Sequence, residues 1–290
     1  MLESVPNISE GRKRDVIDAL AAACGTSLLD VHDDLDHHRS VFTLAGPGLR
    51  DAETAASALA QAAAERVDLS VHEGVHPRLG VVDVVPFVAL DEDDEVATDA
   101  ALAFAEWAAT ELEVPVFLYD DADPLRRSLP ELRRAAFRKR APDLGPSVPH
   151  PRLGATAVGA RPHLIAVNCW LDSNDVLVAR ELAGQVRETD GGLPGVRALG
   201  LLLSSEDVAQ VSMNLIDLPV TGLEAACTEV RRLADREGFD ITRVEVVGLI
   251  PAAEYERCSE EFLEWARISD DLTIEGRLAA RTATRAAGSA

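Results

Sequence analysis

The sequence predicts an α+β protein built from two ferredoxin-like βαββαβ subdomains, each an antiparallel sheet with helices on one face. The predicted elements follow the order β-α-β-β-α-β in the first half of the chain and again in the second. A stretch rich in proline and glycine, residues 141–160, joins the halves. The two halves lack an obvious sequence repeat, so only their architecture is duplicated. We therefore predict an N-terminal subdomain over residues 1–160 and a C-terminal subdomain over 161–290.

The first half contains one complete βαββαβ order. Residues 2–6 have the pattern of a short strand. Ser9 can cap a helix that places Ile17 and Leu20 on one side and stops at Gly25. The periodicity then predicts strands at 27–31 and 40–44, a helix at 53–66, a buried apolar strand at 81–90, a helix at 95–112 and a strand at 114–119.

The second half repeats the order. The pattern predicts a strand at 163–171, a helix at 173–187, strands at 196–203 and 209–216, a helix that ends at Gly238, and a strand at 243–250. Thr221 and Glu224 have the spacing of a capping box at the start of the second helix. The Arg/Ala-rich tail after Ile274 is expected to be frayed.

Composition limits the possible functions. A formal net charge of −22 argues against a nucleic-acid or anionic-membrane surface. The sequence has no apolar run of about 20 residues, and residues 1–30 lack the charged head and unbroken apolar stretch of a signal peptide. Its four cysteines form no Cys-x-x-Cys pair. These features predict a cytoplasmic protein with reduced thiols. Arginine supplies nearly all the positive charge, so an anionic ligand would need a local arginine cluster.

The segment HEGVHP, residues 72–77, matches the H-E-x-x-H pattern of zinc proteases. That pattern binds zinc because a helix brings its two histidines onto one face. Gly74 disfavours a helix here, and Pro77 disfavours helical backbone at His76. We therefore predict a loop without metal, whose histidines can act as general acids and bases near neutral pH.

Other polar segments are candidate sites. Residues 30–39, DVHDDLDHHR, are open to three interpretations: a polar loop between strands, a functional loop facing the two histidines, or a metal cluster. Arginines in these and neighbouring loops can bind carboxylates through two parallel hydrogen bonds, although each could equally be a surface ion-pair partner. In residues 209–216, three polar side chains alternate with apolar ones, which suits contact with a polar heterocycle or an ordinary solvent face. The substrate-binding candidates are Asp36, His38, Arg39, His72, Arg78, Arg161, Gln210, Ser212 and Asn214.

Seven collinear segments resemble the glutamate formiminotransferase family, the formiminotransferase part of folate-dependent histidine degradation. The resemblance covers roughly residues 2–256. The segments are VPNISEG (5–11), HHRSVFTLAGP (37–47), HEGVHPRLGVVDVVPF (72–87), VPVFLY (114–119), APDLGPSVPHPRLGATAVGARPHLIAVN (141–168), QVSMNL (210–215) and EVVGLIP (245–251).

The resemblance implies the transfer of a formimino group from N-formimino-L-glutamate to N5 of tetrahydrofolate. It implies that His76, in the H-P-R segment, is the catalytic acid–base, that tetrahydrofolate is a co-substrate and that no metal takes part. It also implies a homodimer and a ligand tunnel between the subdomains. The loop implied to contact folate consists of Gly145, Pro146, Ser147, Val148, Pro149, His150, Pro151, Arg152, Leu153 and Gly154.

The sequence departs from the family pattern at three places. Val75 stands where the family usually has an acidic residue, and His38 where it commonly has asparagine. The segment before residue 141 is shorter than usual. A cyclodeaminase domain, which some relatives have, is absent, so we expect release of formimino-tetrahydrofolate without cyclisation. The alternatives are a related folate-dependent acyl- or formyltransferase, a folate-binding protein without catalysis, and a metal-dependent hydrolase.

Overall fold

The computed structural model describes residues 1–75, 77–90 and 93–288, with side chains described as far as residue 281. The chain divides into two compact units, Met1–Pro162 and His163–Ala290. None of the helices in the described ranges is long and apolar enough to cross a membrane.

Each unit contains strands and helices in alternation. The first unit comprises β1 (Leu2–Ser4), β2 (Asn7–Ile8), α1 (Arg14–Ala23), β3 (Leu28–Asp34), β4 (Arg39–Ala45), α2 (Asp51–Arg66), β5 (Val82–Ala89), α3 (Asp94–Glu111), β6 (Val116–Asp120), α4 (Leu129–Ala135) and β7 (Thr156–Ala160). The second unit comprises β8 (Ile165–Leu171), α5 (Val176–Val186), β9 (Val196–Leu203), β10 (Val208–Leu215), α6 (Leu223–Glu237), β11 (Ile241–Val247), α7 (Ala252–Arg257), α8 (Glu260–Ala266) and α9 (Ile274–Gly288).

Both units have the predicted ferredoxin-like order. In the first unit, β1 and β2 together act as one strand that pairs antiparallel with β4 on one side and β5 on the other, and β3 pairs with the outer edge of β4. In the second unit, β8 lies between β10 and β11, and β9 pairs with the outer edge of β10. The first strand is therefore central in each sheet, and the predicted fold class is confirmed.

The prediction that residues 141–160 form a loop joining the halves is wrong at its end. Thr156–Ala160 form β7, which lies parallel between β5 and β6 inside the first unit, with all five residues buried. Parallel pairing with β5 and with the edge strand β6 places β7 inside the sheet, where continuous apolar runs replace alternation. The short segment TAVGA has neither alternation nor bulky residues, so its pattern resembles a linker.

Helices cover both faces of the first sheet at β5–β7. Alternate side chains of β5 and β6, such as Phe87 and Leu118, pack in the main core with the helices α1–α3. The intervening side chains Phe117 and Tyr119 pack with Leu132 of α4 in a second, smaller core. The prediction that the helices lie on one face of the sheet therefore holds for α1–α3. It does not hold for α4, which covers the opposite face.

Two predicted helix caps and the predicted tail differ from the structure. The helix α1 begins after Lys13, while the buried Ser9 hydroxyl donates to the Gly80 carbonyl at 2.8 Å. At α6 the N-cap is Gly222, and Glu224 accepts hydrogen bonds from Ser259 instead of completing a capping box. The tail forms α9 rather than fraying, because its Arg/Ala-rich composition has high helix propensity.

Candidate active site

The loop with the H-E-x-x-H pattern, residues 70–80, lies against the turn between β3 and β4. The Val75 amide donates to the Asp36 carbonyl at 3.1 Å, and the Arg78 guanidinium donates to the His37 carbonyl at 3.0 Å. A Cβ on Gly74 would lie 2.5 Å from the same His37 carbonyl, so a side chain there would displace the loop. We call residues 70–80 the site loop and residues 35–38 the β3–β4 turn.

The predicted catalytic residue, His76, lies outside the described residues. The anchoring contacts of Val75 and Arg78 stand on either side of it in the chain. Its role therefore stays a prediction.

The described part of the zinc-protease pattern, residues 72–75, lacks the helix that zinc binding needs. Residues 72–75 are non-helical, as the glycine and proline predict. His72 Nε2 lies 3.0 Å from the His38 carbonyl, and His72 Nδ1 lies 2.6 Å from the Arg78 guanidinium, so both ring nitrogens already contact protein groups. Within the described residues, no group of three or more His, Cys, Asp or Glu side chains is arranged to hold a metal ion.

His38 connects the β3–β4 turn to the site loop. Its Nδ1 lies 2.8 Å from the Glu73 carbonyl and its Nε2 lies 3.1 Å from Glu10 Oε1. The same carboxylate oxygen accepts the backbone amides of Arg12 and Lys13 at 2.9 and 3.0 Å. Both ring nitrogens of His38 thus face protein acceptors. The predicted contact of His38 with substrate would therefore have to use the carbon edge or the face of the ring.

His72 stacks on His38. The two ring centroids are 3.8 Å apart and the ring planes differ by 17°. Burial lowers the pKa of His72 to about 4, and the positive charge of Arg78 adds to this shift. His72 is therefore neutral at physiological pH, and its position in the stack indicates a supporting role for the site loop.

This lowered pKa predicts an acid sensitivity of the folded protein. Below its ordinary pKa of 6.5, His72 takes up a proton in the unfolded chain, whereas the folded chain resists the proton until about pH 4. The free energy of unfolding of the wild type should therefore fall, relative to that of His72→Gln, as the pH drops through this window. Urea unfolding of both proteins at pH 7 and pH 5 measures the difference. Parallel pH profiles would contradict the assignment.

A buried ion cluster lies behind the site loop. Asp83, in β5, has no exposed surface. Its carboxylate accepts from Arg39, from Arg133 at 2.6 and 3.2 Å, and from the Leu79 amide of the site loop at 2.6 Å. Arg39 also donates to the Asn7 side chain at 2.9 Å. One carboxylate thus holds two guanidiniums, one on β4 and one on α4, together with the site loop.

The cluster carries excess positive charge. Burial alone would raise the pKa of Asp83, but Arg39 and Arg133 outweigh it and hold that pKa far below its usual value. Burial lowers the pKa of Arg78; Asp83 opposes this shift, and Arg39, Arg12 and Arg133 add to it. We call Arg12, Arg39, Arg78 and Arg133 the arginine cluster.

Arg161 is linked to the arginine cluster by Tyr119, which interacts electrostatically with both Arg161 and Arg39. Burial raises the pKa of Tyr119, while the charge of Arg161 opposes that shift. Tyr119 in turn interacts electrostatically with Arg39. The Arg161 guanidinium also donates to the Pro162 carbonyl at 2.9 Å. Of the arginines predicted to clamp carboxylates, Arg39, Arg78 and Arg161 therefore belong to one electrostatic neighbourhood.

The predicted folate loop, residues 145–154, lies beside the site loop within the first unit. Gly154 has a φ of 73°, and a Cβ there would be 2.3 Å from the Leu79 carbonyl. The amide of Val81 donates to the Leu153 carbonyl at 2.9 Å. The interpretation of this segment as a joint between the halves is therefore wrong, because both loops belong to the same unit.

The folate loop has an ordered inner end and an exposed tip. His150 exchanges two backbone hydrogen bonds with Gly154, both 2.8 Å, and its Nδ1 accepts the amides of Arg152 and Leu153. Val148, at the tip, is 66% exposed. The exposed Arg152 side chain donates to the Ala64 carbonyl at the end of α2, at 2.6 Å. The loop thus presents an apolar tip beside a cation.

The three polar candidates of β10 belong to the second unit. Gln210 is fully buried, and neither atom of its amide has a hydrogen-bond partner among the described residues. Ser212 is half-buried and Asn214 is exposed. The predicted alternation is confirmed by the apolar members of the strand, which lie in the core of this unit: Val211, Met213 and Leu215.

The sequence-based candidates omit several residues of this site, among them Asp83, Glu10 and Arg133. Asp83 had a usable signal, because a single carboxylate in the apolar run VVDVVPF must be paired if the strand is buried. Glu10 lies in the motif VPNISEG but has no distinguishing local pattern. Arg133 has no sequence signal, because only the packing of α4 on the second face of the sheet brings it to Asp83.

The chain is similar to proteins of one family over nearly its whole length. Residues 1–161 match the family described as the formiminotransferase domain, N-terminal subdomain, and residues 171–278 match the formiminotransferase domain. A glutamate formimidoyltransferase of Streptococcus pyogenes is 36% identical over 280 residues, which cover 91% of this chain and 93% of that protein. One of Thermoplasma acidophilum is 38% identical, covering 87% of this chain and 88% of that protein. The formimidoyltransferase-cyclodeaminase of Sus scrofa is 39% identical, covering 87% of this chain but 50% of that protein.

Proposed function

The chain belongs to the formiminotransferase family, and from that premise we propose that it is a glutamate formimidoyltransferase. It transfers the formimino group of N-formimino-L-glutamate to N5 of tetrahydrofolate and releases glutamate. Tetrahydrofolate is a co-substrate, and the chemistry takes place at the site loop of the first unit.

The arginine cluster is the observation that carries this proposal. The chain has a formal net charge of −22, yet Arg78 of the site loop feels the charges of three further arginines, Arg12, Arg39 and Arg133, beside the carboxylate of Asp83. A local positive field in an acidic protein attracts small anions. Formimino-glutamate and tetrahydrofolate both bear carboxylates, and guanidinium groups bind carboxylates with two parallel hydrogen bonds.

His76 supplies the proton transfers in the proposed reaction. As N5 of tetrahydrofolate attacks the formimino carbon, N5 loses a proton, which the imidazole takes as a general base. The carbon–nitrogen bond to glutamate then breaks, and the imidazolium returns the proton to the departing glutamate nitrogen. A histidine suits both steps because its pKa lies near neutral pH.

The folate loop is proposed to hold the co-substrate beside the site loop. The exposed apolar tip at Val148 suits contact with an aromatic ring, and the exposed Arg152 suits a carboxylate. The short path between the loops, through Leu79 and Gly154, supports delivery of N5 to the site loop.

A two-substrate assay tests the proposed function. Purified protein is mixed with formimino-glutamate and tetrahydrofolate, and formation of glutamate is followed. In parallel, 5-formyl-tetrahydrofolate is mixed with glutamate. Turnover in the first mixture supports the proposal. Turnover only in the second would favour a related formyltransferase, and folate binding without turnover in either mixture would favour a binding protein.

Removal of the Arg152 side chain should weaken folate binding. Loss of a charged hydrogen-bond partner costs about 1.5–3 kcal/mol, so we expect Arg152→Ala to bind tetrahydrofolate about 10- to 150-fold more weakly by titration calorimetry. Arg66→Ala is the matched control, because Arg66 also donates to a carbonyl in the last turns of α2. Equal affinity of the two variants would mean that the carboxylates are bound elsewhere, with Arg39, Arg78 and Arg161 as the next candidates.

Chelation should leave turnover and folding intact. The H-E-x-x-H segment is non-helical over residues 72–75, and both nitrogens of His72 contact protein groups. Activity and thermal unfolding are measured before and after exhaustive dialysis against a chelator, with metal analysis of the starting protein. Stoichiometric zinc together with loss of activity on dialysis would contradict this expectation.

A further inference from the structure

The hydrogen bonds around His38 determine where its protons lie. The Glu73 carbonyl, 2.8 Å from Nδ1, can only accept a hydrogen bond, so Nδ1 must carry a proton. Nε2 faces Glu10 Oε1 at 3.1 Å. The charge state of His38 therefore depends on whether Glu10 is ionised.

Glu10 is ionised. Burial alone would raise the pKa of Glu10, but that pKa is lowered, and the largest opposing causes are the hydrogen bonds from the amides of Arg12 and Lys13. These two hydrogen bonds do not depend on the charge of His38. An ionised carboxylate only accepts hydrogen bonds, so Nε2 of His38 must also carry a proton.

The other charged and titratable groups that face His38 fit the same assignment. His72, stacked on its ring, is neutral. Its Nε2 lies 3.0 Å from the His38 carbonyl, and the Arg78 guanidinium lies 2.6 Å from Nδ1 and 2.9 Å from Nε2. The positive charge of Arg78 is bound to His72 and to the His37 carbonyl. Protons on both ring nitrogens of His38 satisfy its own contacts with the Glu73 carbonyl and Glu10.

We infer that His38 is a positioning residue, held as the imidazolium cation between Glu10 and the Glu73 carbonyl, and that this cation fixes the site loop that carries His76. Glu73 precedes His76 by three residues. The Val75 amide, the Arg78 guanidinium and the His72 ring bind the same turn, and the cation adds a further attachment of the loop at Glu73. The catalytic consequence rests on the proposed function, but the charge of His38 does not.

Nitrogen NMR of the intact protein tests the charge directly. The chain has seven histidines. Protein with ¹⁵N-labelled histidine is compared at pH 7 with His38→Gln to assign the His38 ring. We expect both ring nitrogens to carry a proton. In Glu10→Gln, the side-chain oxygen can still accept the Arg12 and Lys13 amides, but the negative charge is gone, and we expect His38 to become neutral. A His38 ring with one unprotonated nitrogen in the wild type would overturn the inference.

Kinetics of the same variant test the positioning role. We expect Glu10→Gln to lower kcat about 10-fold, the loss typical of one charged hydrogen bond, with KM within about twofold of the wild type. Glu53→Gln is the matched control, since Glu53 of α2 forms an ion pair with the exposed Arg50, the residue that precedes this helix. Unchanged kcat in Glu10→Gln would overturn the positioning role. An inactive wild type would count against the proposed function, while the NMR result would still decide the charge of His38.

Discussion

Replacement of His76 with alanine is expected to lower turnover of formimino-glutamate by about 10²- to 10⁴-fold, the usual effect of removing a general acid–base. Tetrahydrofolate affinity should stay within about twofold of the wild type, because proton transfer contributes to the chemical step and not to ground-state binding. Steady-state kinetics measure the first quantity and titration calorimetry the second. Near-wild-type turnover would refute the assignment of His76.

His72→Ala is the control for this prediction. His72 is neutral, with its pKa lowered to about 4, and it stacks on His38 with both nitrogens in contact with protein groups. We therefore expect a milder loss of turnover than in His76→Ala, through poorer support of the site loop. A larger loss of turnover in His72→Ala than in His76→Ala would mean that His72 is the catalytic histidine and His76 the supporting one.

The architecture could be predicted because each local pattern agreed with the fold around it. The segment 209–216 alternates apolar and polar residues, and the structure has β10 at Val208–Leu215. The segment 196–203 is mostly apolar, and the structure has β9 at Val196–Leu203. The run at 81–90 is apolar except for Asp83, and β5 is buried along nearly its whole length. Periodicity depends on neighbours within one element, and sequence alone contains that information.

Features that depend on distant contacts could not be predicted. The strand β7 is recognisable only from its parallel pairing with β5 and β6, about 40 residues or more away in the chain. Ser9 has the local chemistry of a helix cap, yet its hydroxyl bonds to Gly80, 71 positions away. In both cases a tertiary contact replaced the local preference.

The candidate site was predicted in part for the same reason. The sequence identified the site loop and the folate loop as separate segments, because histidine, arginine and glycine concentrate in each. Their adjacency results from the backbone approach of Gly154 to Leu79, which no local pattern reveals. The ion pair between Arg39 and Asp83 could not be predicted either, because the two residues are 44 positions apart in the chain.

Replacement of Asp83 with alanine is expected to produce the largest loss of stability. Arg39 and Arg133 have side chains only 12% and 16% exposed, and the substitution leaves both guanidiniums without their shared carboxylate. Removing one partner of a buried ion pair costs about 3–5 kcal/mol, and the Leu79 amide loses its acceptor as well. Urea unfolding at pH 7 measures the loss. The test holds across neutral pH, because the folded pKa of Asp83 lies below its ordinary value and its contribution is lost only as the pH falls below about 4.

Two further variants separate loss of the carboxylate from simple loss of packing. Asp33→Ala removes the partner of Arg14 in an exposed pair, whose side chains are 20% and 64% exposed, and should cost at most about 1 kcal/mol. Arg133→Met in the Asp83→Ala background removes one of the two stranded charges, so the double variant should be more stable than Asp83→Ala alone. If unpaired charge causes the loss of stability in Asp83→Ala, Arg133→Met should recover part of that stability. If lost packing is the only cause, Arg133→Met should lower the stability further. A cost for Asp83→Ala no greater than that for Asp33→Ala would mean that the arginine cluster does not depend on this carboxylate.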